Sequence, residues 1–204
     1  MFIARMIESS QANGPGNRAV VWFQGCDARC PGCCNPEFQP MESDNALSMS
    51  PSELAKWFHD QLCEYPELRG LTLSGGEPLH PRQRDDLNNF LFICRSTAPR
   101  LFDVMAFTGY STEQLLDQFG FGMNDLLSID LLIAGPYERD LHNASGIVSS
   151  TNQNILRLSP AFDDVDDATL LNGKRIVEIR MANGTVNVTG LSSIEETLQI
   201  LDLG

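Results

Sequence analysis

Short runs of apolar residues recur along the first two thirds of the chain, and segments with helical periodicity lie between them. The runs at 18–24, 70–74, 103–107 and 127–133 have the length and the β-branched or aromatic content of buried strands. Apolar residues spaced three or four positions apart predict helices over 51–65, 82–96 and 112–119. The alternation of strands and helices with short links predicts right-handed βαβ units and a parallel sheet.

The predicted fold class is therefore α/β. So few βα units favour a partial (β/α) barrel of parallel strands, with the chemistry at the carboxyl ends of the strands. The first helix has the clearest start, because Ser50, Pro51 and Glu53 form the pattern of a capping box with proline at the first helical position.

The pattern changes after Pro136, where a polar loop replaces the strand and helix alternation. Asn183-Gly184 lies between two segments of alternating apolar residues, which predicts a β-hairpin. Ser193 then caps a predicted final helix. We expect one domain over 1–158 and an appended hairpin and helix over 159–204.

Charge narrows the possible partners. The 204 residues carry 27 acidic and 14 basic side chains, for a formal net charge of −13. Nucleic acids and anionic membranes both require a basic surface, so neither is an expected partner. No apolar stretch is long enough to span a bilayer, and the segment 1–7 is too short for a signal peptide. A cytoplasmic location is expected, where six cysteines would be metal ligands or packed thiols.

Three cysteines follow the first long apolar run at C-x3-C-x2-C spacing: Cys26, Cys30 and Cys33. Thiolates are soft ligands that suit zinc or an iron–sulfur cluster. A zinc site would need Cys34 as its fourth ligand, but neighbouring side chains point apart and no second cysteine pair follows. Three thiolates around a metal centre with one open position therefore fit better. We expect Cys63 and Cys94 to be packed core thiols.

A second motif, Gly-Gly-Glu-Pro at 75–78, follows the second predicted strand. Alone it reads as a turn, but roughly 40 residues after the cysteines and at a strand end it becomes the other half of a site. Thr108 and Asp130 are expected to face the same mouth, although a strand-end cap and a core-paired acid are equally good interpretations. Asn152 and Gln153 are weaker candidates of the same kind.

Arg18 and the three histidines have simpler interpretations than a role in the site. Arg18 reads as a surface arginine, with pairing to a carboxylate near the site as the alternative. The histidines at 59, 80 and 142 have no ligand partner at metal spacing and are expected to be structural or solvent-facing.

The cysteine spacing followed by Gly-Gly-Glu-Pro resembles the radical S-adenosylmethionine superfamily. The segments 14–18 and 21–26 are similar to the glycyl-radical-enzyme activating enzymes. The motifs at 30–33, 108–110, 129–136 and 150–153 most resemble the anaerobic ribonucleotide reductase activases. The resemblance covers roughly 1–158, with several motifs in the right order.

The resemblance implies that Cys26, Cys30 and Cys33 hold three irons of a [4Fe–4S] cluster, whose fourth iron binds S-adenosylmethionine. Reductive cleavage of that cofactor would give a 5′-deoxyadenosyl radical that abstracts hydrogen from a partner protein and generates a glycyl radical. Flavodoxin or ferredoxin would supply the electron. The expected cofactor-binding residues are Gly32, Cys34, Ser74, Gly75, Gly76, Glu77, Pro78, Thr108 and Asp130.

Two other functions stay open. A small radical enzyme could modify a peptide or metabolite, with the C-terminal hairpin narrowing the open side of the barrel. A non-catalytic iron–sulfur electron carrier would use Cys34 to close the cluster, but the Gly-Gly-Glu-Pro loop would then have no purpose.

Overall fold

A mixed β-sheet forms the centre of the protein, whose computed structural model describes residues 1–182 and 185–190. The nine strands in this part of the chain are β1 (Phe2–Ser10), β2 (Asn17–Phe23), β3 (Leu47–Ser48), β4 (Leu68–Gly75), β5 (Asp103–Thr108), β6 (Leu131–Ala134), β7 (Asn154–Arg157), β8 (Val177–Ala182) and β9 (Thr185–Gly190). The α-helices of the same part are α1 (Pro51–Glu64), α2 (Arg84–Thr97), α3 (Met123–Leu126) and α4 (Asp167–Asn172).

Seven of these strands form one sheet in the order β3-β1-β2-β4-β5-β6-β7. The central strands β2, β4, β5 and β6 run parallel, whereas β1, β3 and β7 pair antiparallel at the two sides. The α/β class and the parallel centre are confirmed. Because parallel strands end on the same edge, the loops that follow the four central strands meet there.

The helices begin and end close to where the sequence predicts. At the start of α1, the Ser50 hydroxyl accepts a hydrogen bond from the Glu53 amide, and the Glu53 carboxylate accepts one from the Ser50 amide. The predicted capping box is therefore present. The Ser111 hydroxyl accepts from the Gln114 amide and caps the next helical turn, which continues as the π-helix Gln114–Gln118.

Two apolar layers cover the sheet. On one face α1 and α2 pack through residues such as Phe58 and Phe90, and Cys94 is buried there as predicted. On the other face, Met105 and Ile133 pack against the segment that contains Phe162. Cys63 is exposed, so the prediction of a packed thiol was wrong for that residue.

Two strand predictions needed correction. Residues 2–10, interpreted only as a short apolar segment, form β1 antiparallel to β2. The predicted strand over 127–133 begins only at Leu131, because the residues before it form α3 and a turn. Asp130 closes that turn, since its amide donates to the Val104 carbonyl and its carboxylate accepts from the Val104 amide.

A buried ion-pair network lies at the amino ends of the parallel strands. Arg18 is completely buried, so the surface interpretation was wrong. Its Nη2 lies 2.6 Å from Asp103 Oδ1, while Arg69 Nε lies 2.6 Å from Asp103 Oδ2. Arg18 also donates to the Thr72 hydroxyl and the Leu71 carbonyl. The Asp103 carboxylate thus bridges two guanidinium groups, and Arg69 pairs with Asp164 as well. This network lies far from the edge where the chemistry was expected.

The predicted hairpin is present, with β8 and β9 paired antiparallel. The turn residues 183–184 and the predicted helix from residue 193 lie outside the described residues. The hairpin packs on β1 and the segment after it. Arg5 in β1 donates to the Val188 carbonyl, and Asn13, after β1, donates to the Thr189 hydroxyl. No helix within residues 1–182 is both long and apolar enough to cross a lipid bilayer.

We predict that Asp103→Ala lowers the free energy of unfolding by about 3–5 kcal/mol, because it leaves the fully buried Arg18 charge without its partner. Denaturant titration followed by circular dichroism measures this. The exposed Lys56–Asp60 pair provides the control, and Asp60→Ala should cost less than about 1 kcal/mol. A loss at Asp103 no larger than at Asp60 would contradict the assignment.

Candidate functional site

A single cavity collects the predicted motifs at the carboxyl ends of β2, β4, β5 and β6. It has a volume of about 130 Å³. Its lining includes nine of the twelve predicted site residues, namely Cys26, Cys30, Gly32, Cys33, Cys34, Ser74, Gly75, Gly76 and Thr108. The fold thus brings two motifs that are separate in the sequence to one cavity.

Backbone hydrogen bonds join the cysteine loop to the Gly-Gly-Glu-Pro loop. The Gly76 amide donates to the Phe23 carbonyl at 2.8 Å, and the Glu77 amide donates to the Gly25 carbonyl at 2.8 Å. A Cβ at Gly75 would lie 2.4 Å from the Phe23 nitrogen, and one at Gly76 would lie 2.5 Å from the Gly25 oxygen. The two glycines are thus required by close contact between the loops, whether or not a ligand is bound.

The residues that follow the cysteines return beneath the loop. The Gly25 amide donates to the Phe38 carbonyl at 2.8 Å, and the Cys26 amide donates to the Gln39 carbonyl at 2.9 Å. Gln24 Nε2 also donates to the Pro40 carbonyl. The base of the cysteine loop is consequently fixed on both sides by hydrogen bonds to main-chain carbonyls. Its tip, residues 28–34, is largely exposed.

Glu77 is the centre of the polar network behind the cavity. Its side chain is fully buried and does not line the cavity. The carboxylate accepts hydrogen bonds from the Leu79 amide, the Thr108 hydroxyl and the Gly109 amide at 2.9, 2.8 and 2.7 Å. Burial raises the pKa of Glu77 to about 7, against the opposing effect of these donors. Glu77 therefore ties the end of β4 to the end of β5. Pro78 is likewise absent from the lining.

Thr108 lines the cavity, but its hydroxyl is used within the protein. It donates to Glu77 and accepts from the Tyr110 amide, which matches the strand-end cap interpretation. The Tyr110 hydroxyl in turn donates to Asp27 Oδ1 at 2.6 Å. This contact links the end of β5 to the residue after the first cysteine. This contact was not predicted, although Tyr110 belongs to the motif at 108–110 and Asp27 lies between the first two cysteines.

Asp130 is removed from the candidate site. It lies before β6, at the edge of the sheet opposite Thr108. Its carboxylate accepts from the Val104 amide at 2.7 Å, from Arg95 Nη2 at 2.5 Å and from the Ser159 hydroxyl at 2.6 Å. The structure therefore supports the alternative interpretation of a core-paired acid. The error arose because the apolar run around Asp130 covers a helical turn as well as the strand.

The cysteines of the loop have different environments. Cys26 is buried, and burial raises the pKa of its thiol to about 11. Burial also raises the pKa of Cys30. The pKa of Cys33 is lowered to about 6, chiefly by a hydrogen bond from the Cys34 thiol, and the Asn35 amide also donates to its sulfur at 3.4 Å. Among the described residues, no three Cys, His, Asp or Glu side chains lie close enough together to hold a metal ion.

The donor set nevertheless fits an iron–sulfur cluster. Three thiols belong to one loop whose tip is exposed, and all three line the same cavity. Thiolates are the ligands that iron–sulfur clusters use. Binding a cluster would require the tip of the loop to draw the three sulfurs together, whereas the base is already fixed.

The loop after β6 contributes cavity residues that the sequence did not single out. Tyr137, His142 and Ser149 line the cavity, although His142 is also solvent-exposed as expected. Gln153, a weaker candidate, lines it too. Its Oε1 accepts from the Ser149 amide, and its Nε2 donates to the Gly135 carbonyl. These residues could have been predicted only from their place in the chain, since this loop follows the fourth parallel strand.

Comparison with known proteins agrees with this geometry. Residues 12–156 match the family model described as a 4Fe-4S single cluster domain. The chain belongs to this family. It is 30% identical over 144 residues to the anaerobic ribonucleoside-triphosphate reductase-activating protein of Enterobacteria phage T4, which covers 70% of this chain and 85% of that protein.

Two further relatives support the same placement. The protein of the same name from Escherichia coli K12 is 30% identical over 142 residues, or 69% of this chain and 88% of that protein. A putative glycyl-radical enzyme activating enzyme of Haemophilus influenzae is 39% identical over 75 residues, or 36% of this chain and 27% of that protein. These matches confirm the resemblance to activating enzymes of the radical S-adenosylmethionine superfamily, and with it the prediction of an iron–sulfur enzyme.

We predict that Glu77→Gln removes a pH dependence of stability. A folded-state pKa of about 7 lies above the usual carboxyl value of 4.5, so this contribution is complete below about pH 4.5 and is lost as the pH rises through about 7. Between about pH 5.5 and 7 the wild type should lose roughly 2 kcal/mol from this group. Denaturant titrations at several pH values measure the slope.

Glu42, which is exposed, provides the control for this variant. Glu42→Gln should keep the wild-type slope, whereas Glu77→Gln should flatten it. The free energy of unfolding of Glu77→Gln should also be about 1–3 kcal/mol below that of the wild type at low pH, because an amide NH₂ cannot accept a hydrogen bond from the Gly109 amide. Equal slopes in all three proteins would contradict the role of Glu77.

Proposed function

We propose that this chain reductively cleaves S-adenosylmethionine at a [4Fe–4S] cluster and takes a hydrogen atom from a glycine of a partner protein, generating a glycyl radical. The observation that carries the proposal is the cavity shared by three cysteines and the two glycines of the Gly-Gly-Glu-Pro loop. The names of the relatives, which are activating proteins of an anaerobic reductase, support it.

In this proposal Cys26, Cys30 and Cys33 hold three irons and leave the fourth for the cofactor. When bound and reduced, the cluster would supply one electron to the sulfonium of S-adenosylmethionine, whose C–S bond would break to give methionine and a 5′-deoxyadenosyl radical. The Ser74 hydroxyl lines the cavity and forms no hydrogen bond with another described residue, so it is available to the amino acid end of the cofactor. The main chain at Gly75 and Gly76 lies beside it.

The protein's own part is to bind, to orient and to exclude water. The loops after β2, β4 and β5 are locked together by the Gly76 and Glu77 hydrogen bonds, so the cofactor meets a rigid wall. The tip of the cysteine loop forms the opposite wall and includes Cys34, which we place outside the ligand set. The partial barrel remains part of the proposal, since an incompletely closed sheet would let a peptide loop enter.

The described hairpin gives no support to the alternative of a small-substrate enzyme with a narrowed mouth. Among the hairpin residues whose side chains the structure describes, 177–181 and 188–190, none contributes to the lining of the cavity. A flavodoxin or ferredoxin as electron donor and a cytoplasmic location stay predictions.

The decisive experiment uses the whole chain, purified without oxygen and reconstituted with iron and sulfide. Dithionite and S-adenosylmethionine are then added, and 5′-deoxyadenosine is measured by chromatography. We expect stoichiometric formation that depends on both reagents. A reconstituted cluster that yields no 5′-deoxyadenosine would sink the radical-enzyme proposal.

The identity of the substrate needs a second measurement on the same preparation. Where the genome encodes a large glycyl-radical enzyme beside this gene, that enzyme is the candidate partner, and it is mixed with the reduced chain and S-adenosylmethionine. Electron paramagnetic resonance should detect a protein-bound glycyl radical. Cofactor cleavage without any such radical would favour the alternative of a peptide or metabolite substrate.

The ligand set predicts different results for two neighbouring cysteines. Cys30→Ala should lose most of the bound iron and all cofactor cleavage, because three thiolates are required. Cys34→Ala should keep wild-type iron and sulfide, measured by colorimetric assay on matched reconstitutions. Loss of the cluster in Cys34→Ala to the same extent as in Cys30→Ala would indicate a closed four-thiolate site and an electron carrier.

A further inference from the structure

Tyr137 occupies a distinctive place in the cavity wall, although it belongs to none of the predicted motifs. It follows Pro136 and Gly135 at the end of β6, and the backbone of Gly135 is left-handed. Tyr137 itself is half-buried. Tyr137 and Cys30 line the same cavity. A Cβ on Gly32 would lie 3.4 Å from Cε1 of the Tyr137 ring. The ring therefore lies beside the middle of the cysteine loop.

Gly32 makes room for this arrangement. Its φ of +80° is in the left-handed region, and the same Cβ position would lie 3.1 Å from Arg139 Nε. Any side chain at residue 32 would thus meet the segment that carries Tyr137. The cysteine loop has no aromatic residue between Cys26 and Cys34, so the aromatic surface beside it comes from the loop after β6.

The backbone around Tyr137 is fixed without any ligand. The Pro136 carbonyl accepts a hydrogen bond from Asn152 Nδ2 at 2.8 Å, and the Glu138 amide donates to the hydroxyl of the fully buried Ser150 at 3.1 Å. The Tyr137 hydroxyl lies 3.2 Å from Nδ1 of His142, and the two rings stand at 79° to each other. Because that contact is edge to face, at least one face of the Tyr137 ring is not covered by His142.

We propose that Tyr137 is a specificity-determining residue whose ring stacks on the purine of S-adenosylmethionine. This inference rests on the proposed function. A planar purine gains most from a rigid aromatic face, and Tyr137 offers one within the same cavity as the cysteines and Ser74. The nucleoside half of the cofactor is thereby recognised from the end of β6, and the amino acid half from the end of β4.

The test measures binding to the cluster-loaded full chain by equilibrium dialysis, with two probes. S-adenosylmethionine carries the purine, whereas S-methylmethionine is a sulfonium amino acid without it. In Tyr137→Ala the Kd for S-adenosylmethionine should rise roughly 5- to 150-fold, the range that loss of one base stacking contact gives. The Kd for S-methylmethionine should stay unchanged. Tyr137→Phe, which keeps the ring, should bind both probes as the wild type does.

Phe92→Ala provides a matched control, because this aromatic residue is 68% exposed on α2 and lies outside the cavity. It should bind both probes like the wild type, and iron content and melting temperature should match in all four proteins. Wild-type affinity in Tyr137→Ala would overturn the inference and leave the proposed function intact. Equal weakening for both probes, or weakening in Tyr137→Phe, would show that Tyr137 acts through loop position or its hydroxyl and would also overturn it. A wild type that binds no S-adenosylmethionine would overturn both.

Discussion

The candidate site depends on direct main-chain contact between two strand ends. The Gly76 and Glu77 amides donate to the Phe23 and Gly25 carbonyls, and this brings the glycine loop against the base of the cysteine loop. The approach is so close that a Cβ at Gly75 or Gly76 would overlap backbone atoms. These hydrogen bonds join main-chain atoms and form only where no Cβ stands in the way. The two motifs can therefore stay in contact only if both keep their glycines.

From this contact the rest of the frame extends across the sheet. Glu77 accepts hydrogen bonds from Thr108 and Gly109 at the end of β5. Tyr110, which follows them, donates to Asp27 in the cysteine loop. The result is a continuous set of hydrogen bonds behind the cavity, with Glu77 at its centre, where burial raises the pKa of the carboxyl to about 7. The exposed tip of the cysteine loop is outside this set and is the part that a cluster would organise.

The sequence was most informative where apolar runs and motif spacing coincide. The four parallel strands and the capping box of α1 follow from local patterns, and the two motifs follow from their position after strands. Arg18 could not be placed, because its partner Asp103 is distant in sequence and an arginine without that partner would favour the surface. Asp130 was misplaced because an apolar run does not reveal where a turn ends and a strand begins. Tyr137 was missed because its role comes from the fold, and its loop has no pattern.

Buried apolar residues of the central strands, such as Val21, Leu73 and Ala106, separate the two polar ends of the sheet. At one end Arg18, Asp103 and Arg69 form a compact charged network, and at the other end lie the thiols and glycines. Substitutions at ends with no shared contacts should have additive effects on stability. For protein engineering, this means that the loops around the cavity can be randomised to seek new substrates, while stabilising changes are introduced independently at the charged end to compensate for what those loops lose.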